Sequence, residues 1–434
     1  MTSSVFRFVL PVCVLLVVAI STAAAKPPMG NDWFPLAGEF TDPGEAVSTA
    51  ASQPEDLATP APWPPGLLMD GLSRVSVRKP FDDLGLRAWG YAESGFTGRM
   101  TGGQDVLPGR VFEARRPNNA RLNQLRFTLD RPYDATKSFD VGGRVDALYG
   151  GDAMLTHSPG LLDKAGHGTG DNWFDLVQGF GQGWFKTGKD SGLEATVGKF
   201  ATTHGAEVID ATGNALYSHS YLFGYAIPFT HTGTKLNYVF NSRASAYFGI
   251  VNGWEVFNDN NNAHSYMFGG AFSGREQIDG HARLQAFVNA ITGPEQEKDV
   301  NNYRTVLDTT VTYWWTGRLS QSINVDYGTE ENVADVGRAR WYGAANYFTY
   351  VFNDRVSATW RSEWFRDDGG SRTGSDASWF ENTVGLNLTP WPKHPKLKYL
   401  SFRPEARYDV ADRPVFGGGR EGQFTVAFDV IFKF

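Results

Sequence analysis

The last twelve residues of the chain, 423–434, most constrain its fold because apolar and polar side chains alternate along them. One face of this segment carries large apolar side chains, namely Phe424, Phe428, Phe432 and Phe434. The opposite face is mostly polar and includes Asp429 and Lys433. Since the side chains of a β-strand alternate with a period of two, the pattern predicts a strand with one apolar face. The segment is also long enough to cross a bilayer at a tilt, which takes about 9–11 residues.

The N-terminal residues 1–25 have the pattern of a secretory signal peptide. Arg7 precedes an apolar run at 8–20, and three alanines at 23–25 form a small-residue cleavage pattern. The single cysteine, Cys13, lies within this segment. We therefore expect export, and a mature chain with neither a thiol nor a disulfide.

Residues 26–85 differ from the rest of the chain because they are rich in proline, alanine, serine and acidic residues. Proline cannot donate to a strand ladder, and such a composition buries little apolar surface. We predict a periplasmic or lumenal extension, with a short helical turn at 66–72. A disordered spacer is the alternative.

The overall composition excludes several classes of protein. A formal net charge of −7 argues against binding of nucleic acid. After residue 25 no apolar run approaches the roughly 20 residues of a membrane-spanning helix, so a membrane protein would have to be a barrel. The 31 Phe, 17 Tyr, 13 Trp and 49 Gly suit a barrel with aromatic girdles and tight turns. Composition alone also allows a secreted glycan-binding β protein.

From residue 86 onward, segments of about 8–15 residues rich in aromatic and β-branched side chains alternate with polar connections. Short connections near 242–243, 274–279, 316–317, 353–354 and 391–398 alternate with long ones at 254–263, 292–301, 329–338, 367–378 and 411–420. Short periplasmic turns and long extracellular loops are typical of outer-membrane barrels. A strand that ends in Phe434 resembles the last strand of such barrels. With Phe434 in the periplasm, every long connection lies outside.

Further strands are expected upstream at 86–98, 120–130, 138–150, 173–187, 192–200 and 234–241. The sequence therefore predicts an all-β fold, a transmembrane antiparallel β-barrel of about 16 strands (range about 14–18) over residues 86–434. This count requires residues 201–233 to form one long outer connection. A strand at 221–229 would break the count.

Charged residues on several predicted strands lie on one face, opposite apolar residues. These residues are Arg126, Arg144, Asp146, Arg304, Asp308, Arg361, Glu363, Arg403, Glu405, Arg407 and Asp409. A charge on the lipid face at mid-bilayer costs about 2–4 kcal/mol, so we predict that they face a wet interior. There, mixed-sign rows are expected to pair across strands and hold their register. The same rows are candidates for lining a permeation path.

Known catalytic and metal-binding motifs are absent from the sequence. It has no Gly-x-Ser-x-Gly elbow, no phosphate loop and no HExxH pair, so we predict that the protein is not an enzyme and needs no cofactor. The histidines occur singly, and no short spacing supplies the three or four ligands of a zinc site. We therefore predict no metal, and expect the loop histidines to be solvated.

Several motifs carry a resemblance to a known family. They are 192–200, Gly205 with Glu207, 220–223, 227–233, 251–254 with 258–260, and 402–409. Together they resemble the OmpL-like β-barrel porin family over residues 86–434. The resemblance implies an outer-membrane pore of undefined substrate, and it transfers no catalytic residue.

In the predicted strand order, residues 201–233 are the third outer connection, the position of the loop that narrows the pore in general porins. By this count alone, we expect its charged and histidine side chains to oppose wall residues such as Arg126 and Arg144 across a constriction. The loop residues concerned are His204, Glu207, Asp210, His219 and His231. An outward-facing surface loop is the alternative.

The sequence thus predicts an outer-membrane porin for passive diffusion of small hydrophilic solutes or ions. Its expected partners are outer-membrane lipid, the barrel-assembly machinery through the C-terminal strand, and small solutes, with a homotrimer left open. The alternatives are a non-conducting outer-membrane scaffold or adhesin, and a secreted glycan-binding β protein.

Overall fold

The computed structural model describes residues 66–74, 78–100, 107–113, 115, 117–163 and 171–434. The predicted signal peptide at 1–25 and the extension up to residue 65 lie outside these residues. Both therefore stay predictions.

Sixteen strands close into one antiparallel barrel, in which neighbouring strands follow the chain order and the last strand pairs with the first. The strands are β1 (Arg87–Arg99), β2 (Ala120–Arg131), β3 (Phe139–Gly150), β4 (Trp173–Lys186), β5 (Gly192–Ala201), β6 (Thr230–Asn241), β7 (Ala244–Val251), β8 (Ser265–Ser273), β11 (Leu284–Pro294), β12 (Tyr303–Thr316), β13 (Leu319–Val333), β14 (Gly337–Asn353), β15 (Val356–Asp368), β16 (Ala377–Leu388), β17 (Leu400–Ala411) and β18 (Gly422–Lys433). A small separate hairpin, β9 (Gln277–Ile278) and β10 (His281–Ala282), lies between β8 and β11. The predicted fold class is confirmed.

The helices in the described part of the chain are few and short. They are α1 (Leu67–Arg74), α2 (Arg78–Leu84), α3 (Ala153–Thr156), the 3₁₀ turns Ala211–Gly213 and Leu397–Tyr399, and a π-helix, Leu222–Ala226. Helix α1 includes most of the predicted helical turn and contacts β1. Among the described residues, no helix is both long enough and apolar enough to cross a membrane.

The C-terminal strand is the closing seam, as its sequence pattern predicts. Phe428 is 48% exposed on the outer face and lies beside Phe96 of β1, with ring centroids 5.7 Å apart. Asp429, the next residue, is fully buried on the inner face. The main chain of Phe434 closes the seam by exchanging hydrogen bonds of 2.7 and 2.9 Å with Gly90. Phe424 and Phe432 also point outward.

Three predicted connections differ from the structure. Residues 221–229 contain the π-helix and no strand, so the number of barrel strands stays even. Strand β6 begins at Thr230, earlier than predicted. The third outer connection is therefore 202–229, and His231 belongs to a strand. The predicted long connection at 329–338 is mostly strand, because β13 and β14 extend to a turn at 334–336. The short connection at 274–279 contains part of the small hairpin β9–β10.

Candidate lumenal constriction

Residues 202–229, which we call the lumenal loop, fold into the barrel and reach the opposite wall. The main-chain N–H of Ala211 donates to the Tyr91 hydroxyl of β1, at 3.0 Å. On the far side, the N–H of Leu222 donates to Glu363 of β15, at 2.7 Å. The loop therefore crosses the lumen instead of extending from the surface.

Wall carboxylates bind the main-chain N–H groups of the lumenal loop. Glu363 accepts from Tyr221 and Leu222, both at 2.7 Å, and Glu405 accepts from Tyr217 at 3.0 Å and Ser218 at 3.1 Å. An irregular segment has no strand or helix ladder to satisfy its amides, and a buried amide without a partner costs free energy. The two carboxylates supply those partners.

Wall arginines bind the main-chain carbonyls of the same loop. Arg361 donates to Ser218 O at 2.6 Å, and Arg407 donates to His219 O at 2.5 Å. Arg403 donates to two loop carbonyls, those of Ala211 and Asn214, at 2.8 and 2.6 Å, and also pairs with Asp429. The predicted charged rows face inward, but here they contact protein instead of water.

The two acidic loop residues each contact a wall arginine. Glu207 pairs with Arg361 at 2.6 Å, whereas Asp210 lies 3.7 Å from Arg126. Burial alone would raise the pKa of both carboxyls, but these guanidinium groups lower both pKa values overall. Asp210 thus opposes Arg126 as the sequence predicts, while Arg144 pairs with Asp130 at 2.9 Å.

The three histidines are buried, so the prediction that they are solvated is wrong. His204 and His231 lie with ring centroids 6.5 Å apart, and both contact the Thr202 hydroxyl. Burial lowers the pKa of His204 to about 3, with a further contribution from His231. His219 instead contacts Glu113 at 2.7 Å; burial opposes its charge, but the carboxylate raises its pKa overall. Their burial follows from the inward path of the loop.

Other predicted wall residues have partners on neighbouring strands. Arg126 pairs with Asp146 across β2 and β3, and Arg304 pairs with Glu330 at 2.8 Å. Asp308 accepts from two amide side chains, those of Asn289 and Asn324, both at 2.7 Å. In the described part of the chain no three histidine or acidic side chains are grouped to hold a metal ion.

Residues 107–113, from the first outer connection, also enter the lumen and were missed by the sequence reasoning. Arg110 is buried and pairs with Asp409 at 2.8 Å, while Tyr221 donates its hydroxyl to the other oxygen of that carboxylate. Glu113 contacts His219, as described above. The signal that could have indicated this segment is weak: apolar Leu107 and Phe112 stand in a connection expected to be polar.

An apolar cluster fills the lumen beside the lumenal loop, near the outer strand ends. Leu222 and Ile227 of the loop are almost fully buried there. They belong to one cluster with inward wall residues, including Val251, Ile291, Val306, Trp341, Phe365 and Trp379. The alternating pattern of the strands does not indicate this apolar cluster, because the same inward faces carry charged residues nearer the middle of the strands.

A cavity remains on the other side of the loop. It has a volume of about 50 Å³, is partly open to solvent, and lies between the lumenal loop and strands β11–β14. Glu207 and Leu216 line it from the loop, and Thr312, Ser322 and Thr349 line it from the wall.

The closed sixteen-strand barrel agrees with the sequence comparison. A model of the family described as "Putative beta-barrel porin-2, OmpL-like" matches residues 86–434. The chain belongs to this family. Membership and fold together identify an outer-membrane barrel of the porin type.

Solved structures with a similar fold include an outer-membrane channel and a porin. The channel DcaP of Acinetobacter baumannii is 12% identical, with a TM-score of 0.53 over 80% of this chain and 97% of that one. OprB of Pseudomonas putida is 10% identical, with a TM-score of 0.52 over 83% and 97%. An anion-selective porin from Comamonas acidovorans is 12% identical, with a TM-score of 0.51 over 80% and 99%. At these identities the likeness concerns the fold alone. No curated protein matches the sequence.

Proposed function

We propose that this porin-family barrel passes small hydrophilic solutes by passive diffusion and that the lumenal loop sets the width of the path. Barrels of 16–18 strands enclose an aqueous channel, whereas barrels of about eight are filled by side chains. The observation that carries the proposal is the solvent-open cavity of about 50 Å³ between the loop and strands β11–β14, inside the closed sixteen-strand barrel. No covalent step or cofactor is needed, and the partners are lipid and solute.

Planar-bilayer recording tests this function. Full-length exported protein, folded in detergent and inserted into a bilayer, is expected to give discrete current steps smaller than those of an unobstructed barrel of the same strand number. Anomalous gel migration that disappears on boiling checks that the barrel is folded. Folded protein that never opens steps would refute the proposal.

A non-conducting scaffold or adhesin is the second candidate, and the apolar cluster at the outer end of the lumen favours it. Packed side chains there exclude water, as in any protein core. A variant in which Leu222 and Ile227 are both changed to Ser distinguishes the two. If this variant conducts and the natural chain does not, the natural chain is closed in its resting state.

We also propose export through residues 1–25, delivery of the closing strand to the barrel-assembly machinery, and association of copies in the membrane.

A row of polar side chains on the outer wall supports association. Asn346, Ser362 and Asn382 are cross-strand neighbours near the middle of β14, β15 and β16. Lipid offers such groups no hydrogen-bond partner, whereas the surface of a second copy does. A homotrimer is the form we propose.

A further inference from the structure

The lumenal loop divides the inner wall into two sides of different chemistry. On the side of β15, β17 and β18, the loop contacts the charged residues predicted to line the path, including Arg361, Arg403 and Glu405. These groups are buried, and each forms at least two hydrogen bonds within the protein. The free space is on the other side, along β11–β14. A solute that enters this space therefore meets a different set of residues.

Neutral hydroxyl groups dominate the polar part of that wall. Thr312 and Ser322 face each other across β12 and β13, with their hydroxyl oxygens 2.8 Å apart. Thr349, on β14, lies 2.9 Å from the Thr359 hydroxyl. A hydroxyl has one donor and two acceptor positions, so each pair has one further hydrogen and several lone pairs beyond its mutual hydrogen bond. The amide of Gln285 adds both a donor and an acceptor.

Two aromatic side chains add apolar faces to the same cavity. Trp314 lines it and is stacked against His281, with centroids 4.3 Å apart and planes 8° apart. Tyr347 lines it and donates its hydroxyl to Glu207 at 3.2 Å. Both rings are held in place by these contacts, so they present fixed surfaces. A rigid aromatic face beside neutral hydrogen-bonding groups suits a ring that has C–H faces and hydroxyl edges.

The cavity offers little to attract an ion. Among the described residues that line it, Glu207 alone carries a formal charge, and the guanidinium of Arg361 lies 2.6 Å from its carboxylate. An ion that sheds water in this space would find no unpaired opposite charge to replace its hydration. A neutral polyhydroxylated solute would exchange water hydrogen bonds for protein ones at similar free energy.

We propose that the space between the lumenal loop and strands β11–β14 binds and passes neutral polyhydroxylated solutes, such as monosaccharides and polyols, in preference to ions. This inference rests on the proposed channel function and names its substrate class. It assigns Thr312 and Ser322 as hydrogen-bonding groups for the solute and Trp314 as its stacking surface.

The test uses the full-length protein in planar bilayers with glucose as the probe and potassium chloride as the current carrier. A salt gradient is expected to give a reversal potential close to zero, and glucose is expected to reduce the current reversibly. Thr312→Val keeps the shape and removes the hydroxyl, and should weaken the glucose effect by about threefold to tenfold. Thr310→Val is the matched control, because Thr310 lies on the same inner face of β12 but does not line the cavity.

The outcomes separate the inference from the channel function. Any of three results would overturn the inference and leave the channel function intact. They are current steps that do not respond to glucose, an equal loss of the glucose effect in both variants, and a strong preference for cations or for anions. If no steps occur, the channel function fails, and equilibrium dialysis of labelled glucose against the detergent-folded barrel decides the site. Binding that Thr312→Val loses and Thr310→Val keeps supports the site; absence of binding overturns it.

Discussion

At the scale of single residues, the wall charges act mainly as partners for main-chain groups of an irregular loop. Arg361 is the clearest example, since its buried guanidinium contacts Glu207, Glu381 and the carbonyl of Ser218. Removing one partner from a buried ionic group costs more than the pair itself contributes, because the remaining charges lose their compensation. The docked position of the lumenal loop therefore depends on a few such side chains.

The first prediction concerns Arg361. Changing Arg361→Leu leaves Glu207 buried without its cation and leaves Glu381 with the more distant Arg407, at 3.6 Å, which should cost about 3–5 kcal/mol. We expect a lower midpoint of urea unfolding and a larger single-channel current, because the loop is released. Arg338→Leu is the control: Arg338 forms an exposed pair with Glu331, worth about 0.2–1 kcal/mol. Equal effects of both changes would contradict this role of Arg361.

The second prediction concerns pH. Glu113 raises the pKa of His219, so their contact, which joins 107–113 to the lumenal loop, is strongest when the imidazole is charged. The stabilisation from this contact is complete below about pH 6.5, the ordinary pKa of histidine. It is lost as the pH rises through the raised pKa of His219. Channel opening should therefore increase toward alkaline pH.

The matched comparison for that titration is His219→Gln, in which the alkaline increase should disappear. His264→Gln, at a largely exposed histidine, should leave the increase intact. Burial of neutral His204 changes stability with pH in the opposite direction. Because its pKa is lowered to about 3, a fall in pH destabilises the folded protein. An alkaline increase of the same size in His219→Gln would contradict the proposed role.

At the scale of elements, strands were predicted far better than connections. Charges and aromatic residues alternate along β15 and β18, and the structure has the corresponding inner and outer faces. Residues 329–338 were predicted as a loop because they are polar, yet they extend β13 and β14 beyond the apolar zone. Ladder hydrogen bonds, rather than side-chain polarity, determine where those strands end.

The third prediction concerns the closing strand. Phe428 lies near the middle of β18 on its outer face, so Phe428→Lys should lower the free energy of unfolding in lipid by about 2–4 kcal/mol. Phe432 points outward nearer the strand end, where the same change should cost about 0–1 kcal/mol. Urea titrations in vesicles followed by tryptophan fluorescence measure both. Equal costs would mean that the two positions do not differ in membrane depth.

At the scale of the whole molecule, the barrel combines an inner wall occupied by its own loop with an outer wall that is not uniformly apolar. The outward row of Asn346, Ser362 and Asn382 stands between exposed aromatic and aliphatic residues such as Trp360 and Val384. Gln321 and Trp360 satisfy the side-chain carbonyls of the two asparagines but leave their NH₂ groups available. A neighbouring copy would complete these hydrogen bonds.

The fourth prediction tests that association. A double change, Asn346→Leu with Asn382→Leu, should shift the detergent-solubilised protein from oligomer toward monomer in native gels and light scattering. Each interhelical or interstrand polar contact in a membrane contributes about 0.6–2 kcal/mol, so both asparagines are changed together. Val384→Leu, on the same outer face of β16, is the control and should leave the mass unchanged. Retention of the oligomer in the double variant would exclude this face as the interface.

The sequence alone determined the strands, the closing seam and the inward direction of the charged rows, because each follows from a side-chain period of two along a local segment. It also indicated residues 201–233 as a connection of special interest, from their position in the strand order, and the structure narrows this connection to 202–229. The tertiary structure alone decided which groups those charges contact. Arg403 binds carbonyls of the loop nearly two hundred residues earlier in the chain, and Arg110 reaches Asp409 from a loop with no periodic pattern. Such partners depend on where an aperiodic segment crosses the lumen, and a side-chain period along a local segment does not predict that path.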